Sequence, residues 1–128
     1  MKRTILFITS LVLIVGCSKP LDDESLIDRG GVKYQQDSQK PYSGKTFKLY
    51  NNGNKDTDGN WKDGVMNGKW TYWYENGQKE YEKTYKDGKP LNGLVTKWYE
   101  NGQKESEGTY MDGELISEKV WYLDGTLK

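Results

Sequence analysis

The chain contains no histidine and no alanine, and its 128 residues include a single cysteine, Cys17. One cysteine excludes a disulfide bond within the chain. The lack of histidine, together with a lone cysteine, excludes most zinc sites, the usual nucleophile-and-base triads and most general-base schemes at neutral pH. The composition therefore argues against an enzyme, and no cofactor or metal is expected.

The missing alanine also bears on the fold class. Alanine is the best helix former, whereas glycine, the main turn residue, occurs 15 times. The chain has 5 Trp, 10 Tyr and 2 Phe, and such large rings can hold together a thin sheet that lacks a two-layer core. The composition therefore predicts an all-β fold.

The chain has 19 basic and 19 acidic residues, so neither sign of charge is in excess. A protein that binds nucleic acid usually carries a basic patch for the phosphates. Removal of an N-terminal segment with Lys2 and Arg3 would leave a slight acidic excess. Nucleic acid is therefore not an expected partner.

The first residues follow the plan of a secretory signal, with a basic start, an apolar run over residues 4–15 and a small residue, Gly16. The run is shorter than the roughly 20 residues that span a bilayer. Its end, Ile14-Val15-Gly16-Cys17, resembles the lipobox of bacterial lipoproteins. The resemblance implies a signal peptide over residues 1–16 and acyl chains, palmitate among them, on Cys17. An ordinary secreted protein with an incidental cysteine is the alternative.

A lipid-anchored Cys17 would place the protein in the bacterial cell envelope, because two or three acyl chains give stable anchoring. Ser18, in place of an aspartate, favours the outer membrane if the host is Gram-negative. Residues 17–31 are rich in Asp and Glu and end in two glycines, which predicts a flexible acidic tether. The acidic cluster could instead be a surface-export signal.

An eight-residue segment, Trp73–Glu80, recurs unchanged as Trp98–Glu105. An aromatic residue or leucine, a tyrosine and a glycine turn recur at intervals of 23 to 25 residues, with weaker copies around Tyr50 and Tyr122. An Asp-Gly turn follows the first three of these turns at a fixed distance. A constant period of this length indicates a repeat array, predicted here over residues 32–128.

Two Asn-Gly pairs, Asn76-Gly77 and Asn101-Gly102, are predicted to form the hairpin turns. A two-residue type I′ turn at the first pair would place Tyr72 opposite Tyr81. Because side chains alternate along a strand, one face would then carry Trp70, Tyr72, Tyr74, Lys79, Tyr81, Lys83 and Tyr85. The other would carry Thr71, Trp73, Glu75, Gln78, Glu80, Glu82 and Thr84.

The order aromatic-Tyr-Glu-Asn-Gly, a strand, Tyr-Lys-Asp-Gly and then Gly-Lys-Trp, clearest over residues 68–113, resembles the bacterial variant of the MORN repeat. That variant occurs in YwqK-type antitoxins and in many lipoproteins. The resemblance implies an extended, twisted, single-layer sheet of antiparallel hairpins. It also implies interaction with a protein or membrane, and in the antitoxin case neutralisation of a toxin. It supplies no catalytic residue.

Tyrosine and tryptophan are enriched at interface hot spots, so a protein-binding module is the favoured interpretation. The candidate partner-binding residues are Trp73, Trp98, Trp121, Tyr72 and Tyr81. Packing of the sheet is the simpler role for any one ring. Trp73 and Trp98 are the better candidates because they lie on the otherwise polar face.

Two other classes of function remain open. An envelope polymer or a small cationic ligand could bind the rings, as aromatic cages bind quaternary ammonium groups. An enzyme could use the carboxylates of Glu80, Glu82, Glu105 and Glu107, although acids at alternate positions usually solubilise an exposed strand face. A calcium site at Asp56, Asp58 and Asp63 lacks the spacing of known calcium loops.

Overall fold

The structure, a computed structural model, describes residues 19–128. The predicted signal peptide and the predicted lipidation of Cys17 lie outside this range. The described part is all-β apart from one 3-10 turn, Asp23–Ser25, and this confirms the predicted fold class. The strands are β1 Leu21–Asp22, β2 Leu26–Arg29, β3 Val32–Gln35, β4 Gly44–Leu49, β5 Lys55–Lys62, β6 Val65–Met66, β7 Gly68–Trp73, β8 Lys79–Lys86, β9 Lys89–Pro90, β10 Gly93–Trp98, β11 Lys104–Met111 and β12 Glu114–Val120.

Ten of these strands form one long sheet in the order β1-β4-β5-β7-β8-β10-β11-β12, with β6 beside β5 and β9 beside β8. All pairs in it are antiparallel except β1 with β4, which is parallel. Strands β2 and β3 form a separate hairpin. Successive hairpins are therefore added side by side, as the repeat period predicts, and the sheet is mixed only at its N-terminal edge.

The hairpin turns at the Asn-Gly pairs differ from the predicted type. The Gly77 amide donates to the Tyr74 carbonyl at 2.9 Å and the Tyr74 amide to the Gln78 carbonyl at 2.8 Å. Gly77 has φ +87°, whereas Asn76 does not have a positive φ. This is a three-residue loop in which a type I turn is followed by a left-handed glycine and a bulge.

Type I′ turns occur instead at the Asp-Gly pairs. Asp63 and Gly64 have φ +50° and +78°, and the flanking Lys62 and Val65 are paired. Asp87-Gly88 and Asp112-Gly113 have the same conformation. Both central residues of a type I′ turn need positive φ, which aspartate and glycine tolerate.

The bulge changes which side chains share a face near each turn. Tyr72 is paired with Tyr81, as predicted, but Trp73 is paired with Lys79, so Glu80 is the extra residue. The ion pair between Lys79 and Glu82, at 2.8 Å, accordingly places Lys79 on the face of Glu82. The predicted faces of Lys79 and Glu80 were therefore exchanged, because an inserted residue reverses the alternation beyond it.

We call the side that carries Trp61, Trp70, Tyr72, Tyr81, Tyr85 and Val95 the first face, and the side that carries Thr71, Trp73, Glu82 and Trp98 the second face. The small core lies on the first face at the N-terminal end. The rings of Trp61 and Trp70 meet edge to face, with centroids 5.1 Å apart. A Cβ at Gly59 would lie 2.1 Å from the Trp70 ring, so glycine is needed beneath it.

Residues 21–31 are not the flexible tether that their acidic composition predicts. Leu26 is only 7% exposed and packs with Tyr42, Trp61 and Trp70, and Leu21 packs against the same cluster. The chain here forms β1, the 3-10 turn and most of the β2–β3 hairpin. Two apolar side chains suffice to cover the first rings of the array, while Asp22, Glu24 and Asp28 remain exposed to solvent.

We predict that Leu26→Ala lowers the free energy of unfolding by about 2–4 kcal/mol, because it leaves a cavity against Trp61 and Trp70. The matched variant is Ile27→Ala, at a neighbouring side chain that is 38% exposed; its loss should stay below about 1 kcal/mol. Urea unfolding followed by tryptophan fluorescence measures both. Equal and small losses would show that the N-terminal segment does not contribute to the core.

Candidate binding surface

Neighbouring hairpins are joined at their tips by side chains of the repeated segment. The hydroxyl of Tyr50 donates to the Trp73 carbonyl at 2.7 Å, that of Tyr74 to the Trp98 carbonyl at 3.0 Å, and that of Tyr99 to the Trp121 carbonyl at 2.9 Å. The amides of Asn52, Asn76 and Asn101 donate in the same way to the carbonyls of Glu75, Glu100 and Leu123. We call this set of bonds the tip ladder. It explains why tyrosine and asparagine recur at these positions.

Each asparagine of the tip ladder also stabilises its own turn. The Oδ1 atom of Asn76 accepts the Gln78 amide at 2.9 Å, and Asn101 accepts the Gln103 amide at the same distance. The predicted turn residues Asn76, Gly77, Asn101 and Gly102 thus all lie within turns. Each of these two asparagine side chains therefore makes two hydrogen bonds: its oxygen accepts one within its own turn, and its amide nitrogen donates one to the next hairpin.

The second face carries three copies of one side-chain unit, in which a lysine lies over a tryptophan ring and pairs with an acid. The ammonium groups of Lys55, Lys79 and Lys104 lie 5.0, 5.3 and 5.1 Å from the ring centroids of Trp73, Trp98 and Trp121. The same lysines pair with Asp58, Glu82 and Glu107 at 2.8, 2.8 and 2.6 Å. The three candidate tryptophans are half-buried, and each has a cation on its ring.

The other two candidate residues, Tyr72 and Tyr81, lie on the first face. Their rings are stacked, with centroids 4.1 Å apart and an interplanar angle of 13°. Burial raises the pKa of both phenols above the usual value, and that of Tyr72 by a large amount. Both hydroxyls therefore stay protonated at any physiological pH. The five candidate residues do not form one cluster, since the sheet separates the tryptophans from the tyrosine pair.

A cleft of about 490 Å³ lies on the first face beside this tyrosine pair, between the second and third hairpins. Its aromatic lining comprises Tyr74, Tyr81, Tyr85 and Tyr110. Its volume is within the range of small-molecule and side-chain pockets. The carboxylates of Glu80 and Glu105 and the ammonium groups of Lys83 and Lys97 also line it. Sequence reasoning missed this cleft because it assigned Glu80 to the other face.

The cleft exists because the repeats differ at one position. Thr46, Trp70 and Val95 occupy equivalent places in successive hairpins, opposite Gly59, Lys83 and Gly108. The Trp70 ring fills the space over Gly59. The shorter Val95 does not fill the corresponding space in the next hairpin. Variation between repeats therefore opens a concavity in an otherwise regular sheet.

The four glutamates considered for catalysis are divided between the faces. Glu82 and Glu107 form the ion pairs of the second face, whereas Glu80 and Glu105 line the cleft on the first. Asp56 and Asp58 pair with Lys48 and Lys55. Residues 19–128 contain no group of three or more Cys, Asp and Glu side chains arranged to hold a metal ion. None of the described helices has the length and hydropathy needed to cross a bilayer.

Two adjacent repeats, residues 66–87 and 91–112, match a family model described as MORN repeat variant. The first match contains the β7–β8 hairpin and the second the β10–β11 hairpin, which confirms the resemblance at the level of these repeats. MORN repeats are generally protein- or membrane-binding modules. Neither a curated protein nor a solved structure matches the chain.

We predict that the double variant Tyr74→Phe/Tyr99→Phe lowers the free energy of unfolding by about 2 kcal/mol. Each change removes one bond of the tip ladder and leaves a carbonyl unpaired, at about 1 kcal/mol per bond. Tyr122→Phe is the matched control, since this ring is 53% exposed and its hydroxyl donates no bond within residues 19–128. Urea unfolding measures both variants, and a similar change for both would contradict a stabilising ladder.

The second-face ion pairs make stability depend on pH. Partial burial alone would raise the pKa of Glu82, but hydrogen bonds from Lys79 and Lys69 outweigh it, so the pKa is lowered. A carboxylate of this kind stabilises the fold above its unfolded-state pKa of about 4.3. That contribution is lost as the pH falls through the lower pKa of the folded state.

We therefore predict that Glu82→Gln costs roughly 0.5–1 kcal/mol of unfolding free energy at pH 7. The loss should disappear below the folded-state pKa, where Glu82 itself is neutral. Glu80→Gln is the matched control, because Glu80 has no ion pair within residues 19–128. Urea unfolding at a series of pH values, from pH 7 to below the folded-state pKa of Glu82, measures the unfolding free energy of both variants. A loss for Glu82→Gln that does not change with pH would mean that packing, and not charge, is responsible.

Proposed function

We propose that this protein is a membrane-anchored lipoprotein whose repeats form a protein-binding module in the bacterial cell envelope. Acyl chains on Cys17 would hold it in the membrane, the outer membrane if the host is Gram-negative. The lipobox-like residues 14–17 support the anchor. The match of two repeats to the MORN repeat variant supports the binding role.

The observation that carries the binding role is the open surface of the sheet beyond its N-terminal core. The buried core cluster of Leu26, Tyr42, Trp61 and Trp70 lies at the N-terminal end. Beyond it, extensive contacts between strands of the described part join only neighbours within the sheet. The candidate residues Trp73, Trp98, Trp121 and Tyr81 are half-buried, as is Tyr72, which packs against the core cluster. Aromatic rings that stay partly exposed on a rigid sheet are typical of binding surfaces.

A toxin-neutralising, immunity-like role is the more specific form of this proposal. A lipid anchor would suit a toxin that acts at the envelope. In that case the captured partner should inhibit growth when it is produced without this protein, and co-production should restore growth.

Photo-crosslinking in native membranes tests the proposal. We expect a photoreactive residue at Tyr81 or Trp98 to yield a discrete crosslinked protein, because these positions lie on the two faces of the open sheet. The same residue at Lys62, beside an exposed turn at the N-terminal end, should yield none. The anchor is tested in parallel, since Cys17→Ser should move the protein from the membrane pellet to the soluble fraction.

Two results would contradict the proposal. Crosslinking that is equally absent at Tyr81, Trp98 and Lys62 would mean that neither face binds a protein. A Cys17→Ser variant that still sediments with membranes and still incorporates labelled palmitate would exclude lipidation at this residue.

A further inference from the structure

Two glutamates in the cleft have no partner for their charge. Glu80 and Glu105 are half-buried, yet neither makes an ion pair or a side-chain hydrogen bond within residues 19–128. The corresponding acids of the second face are all neutralised, as Asp58, Glu82 and Glu107 each pair with a lysine. A partly desolvated carboxylate without a partner is unfavourable, and a cation beside it would stabilise it.

The first hairpin shows what can fill this position. Asp56 is the equivalent of Glu80, and the Lys48 ammonium lies between the carboxylates of Glu24, at 3.3 Å, and Asp56, at 3.9 Å. Lys48 is paired across β4–β5 with Thr57 in the same way as Tyr72 is paired across β7–β8 with Tyr81. The second hairpin therefore has a tyrosine ring where the first has a lysine. Glu80 keeps the acid of this pair but lacks its cation.

The basic residues of the cleft do not neutralise these acids. The Lys83 ammonium lies over two phenol rings, 5.9 Å from the centroids of both Tyr85 and Tyr110. Lys97 is paired with Ser106 as Lys48 is with Thr57, so the third hairpin keeps the lysine. Its side chain is nevertheless exposed to solvent and is not within ion-pair distance of an acid in the described part. The acids, in contrast, flank Tyr74, whose pKa is raised by burial and further by the charges of Glu80 and Glu105.

We propose that the cleft receives a lysine or arginine side chain of the partner protein, with its charged group between the carboxylates of Glu80 and Glu105. Its aliphatic stem would lie on the rings of Tyr74 and Tyr81, which suits the amphipathic character of long basic side chains. The occupant would supply the positive charge that Lys48 supplies in the first hairpin. This inference rests on the proposed function and names the chemistry by which the partner is recognised.

A labelled peptide tests the proposal with a defined probe. Fluorescence anisotropy measures binding of fluorescein-labelled Gly-Arg-Gly-Arg-Gly to the full-length protein in detergent. Glu80→Gln/Glu105→Gln should weaken binding about fivefold or more, as expected for the loss of two partly exposed charge pairs. Glu82→Gln/Glu107→Gln is the matched control: it removes the same charge from the same two strands, but on the opposite face. Its effect should remain below about twofold.

Three outcomes would overturn the inference. The first is that the wild-type protein does not bind the arginine peptide. The second is that both double variants lose affinity equally, which indicates general charge attraction. The third is that binding of choline chloride depends on Glu80 and Glu105 whereas binding of the peptide does not, and the cleft would then be a small-ligand site. Both double variants must unfold cooperatively in urea, which confirms that they are folded.

Crosslinking separates this inference from the proposed function. If Glu80→Gln/Glu105→Gln still captures the partner through the photoreactive residue at Tyr81 as well as the parent does, the cleft is not the recognition site but the binding module stands. If the parent captures no partner while the peptide binds in the cleft, the protein-binding role is wrong.

Discussion

The hydrogen bond from a tyrosine hydroxyl to the tryptophan carbonyl of the next hairpin is the interaction on which the array depends. It occurs between Tyr50 and Trp73, Tyr74 and Trp98, and Tyr99 and Trp121. Strand pairing alone allows slippage in a thin sheet, and a slip by one residue would turn every side chain to the other face. A bond between side chain and backbone at each tip sets the register of each hairpin relative to the next. Equivalent rings in successive hairpins therefore lie on the same face of the sheet and at the same position along it.

A sheet of this kind has little interior, so its stability must come from partial burial repeated many times. Among residues 19–128, a compact cluster occurs only at the N-terminal end, where Leu26 covers Trp61 and Trp70. Farther along, lysine stems lie over Trp73, Trp98 and Trp121 and substitute for a second layer. The lysine charges are held in place by neighbouring acids. The acids Asp58, Glu82 and Glu107 of the second face are thus paired with lysines. Glu80 and Glu105 of the first face have no ion pair within residues 19–128.

Binding would depend on the positions at which the repeats differ. Regular copies give a regular surface, but Val95 in place of Trp70 opens a cleft, and Tyr72 in place of Lys48 leaves Glu80 without its cation. Two substitutions on an otherwise periodic scaffold produce a site that combines rings with uncompensated carboxylates. The scaffold holds these side chains on rigid strands, which reduces the entropy lost when a ligand binds.

The sequence by itself determined the fold class, the repeat period, the pairing of Tyr72 with Tyr81 and the turns at residues 76–77 and 101–102, because these depend on local periodicity and turn chemistry. Only the structure revealed the turn type, in which Oδ1 of Asn76 accepts the Gln78 amide and Asn76 does not take the positive φ of a type I′ turn. The resulting bulge moved Glu80 to the first face. Only the tertiary structure, too, showed that Leu26 belongs to the core and that Val95 leaves a cleft. Both depend on contacts between residues far apart in the chain, which no local pattern records.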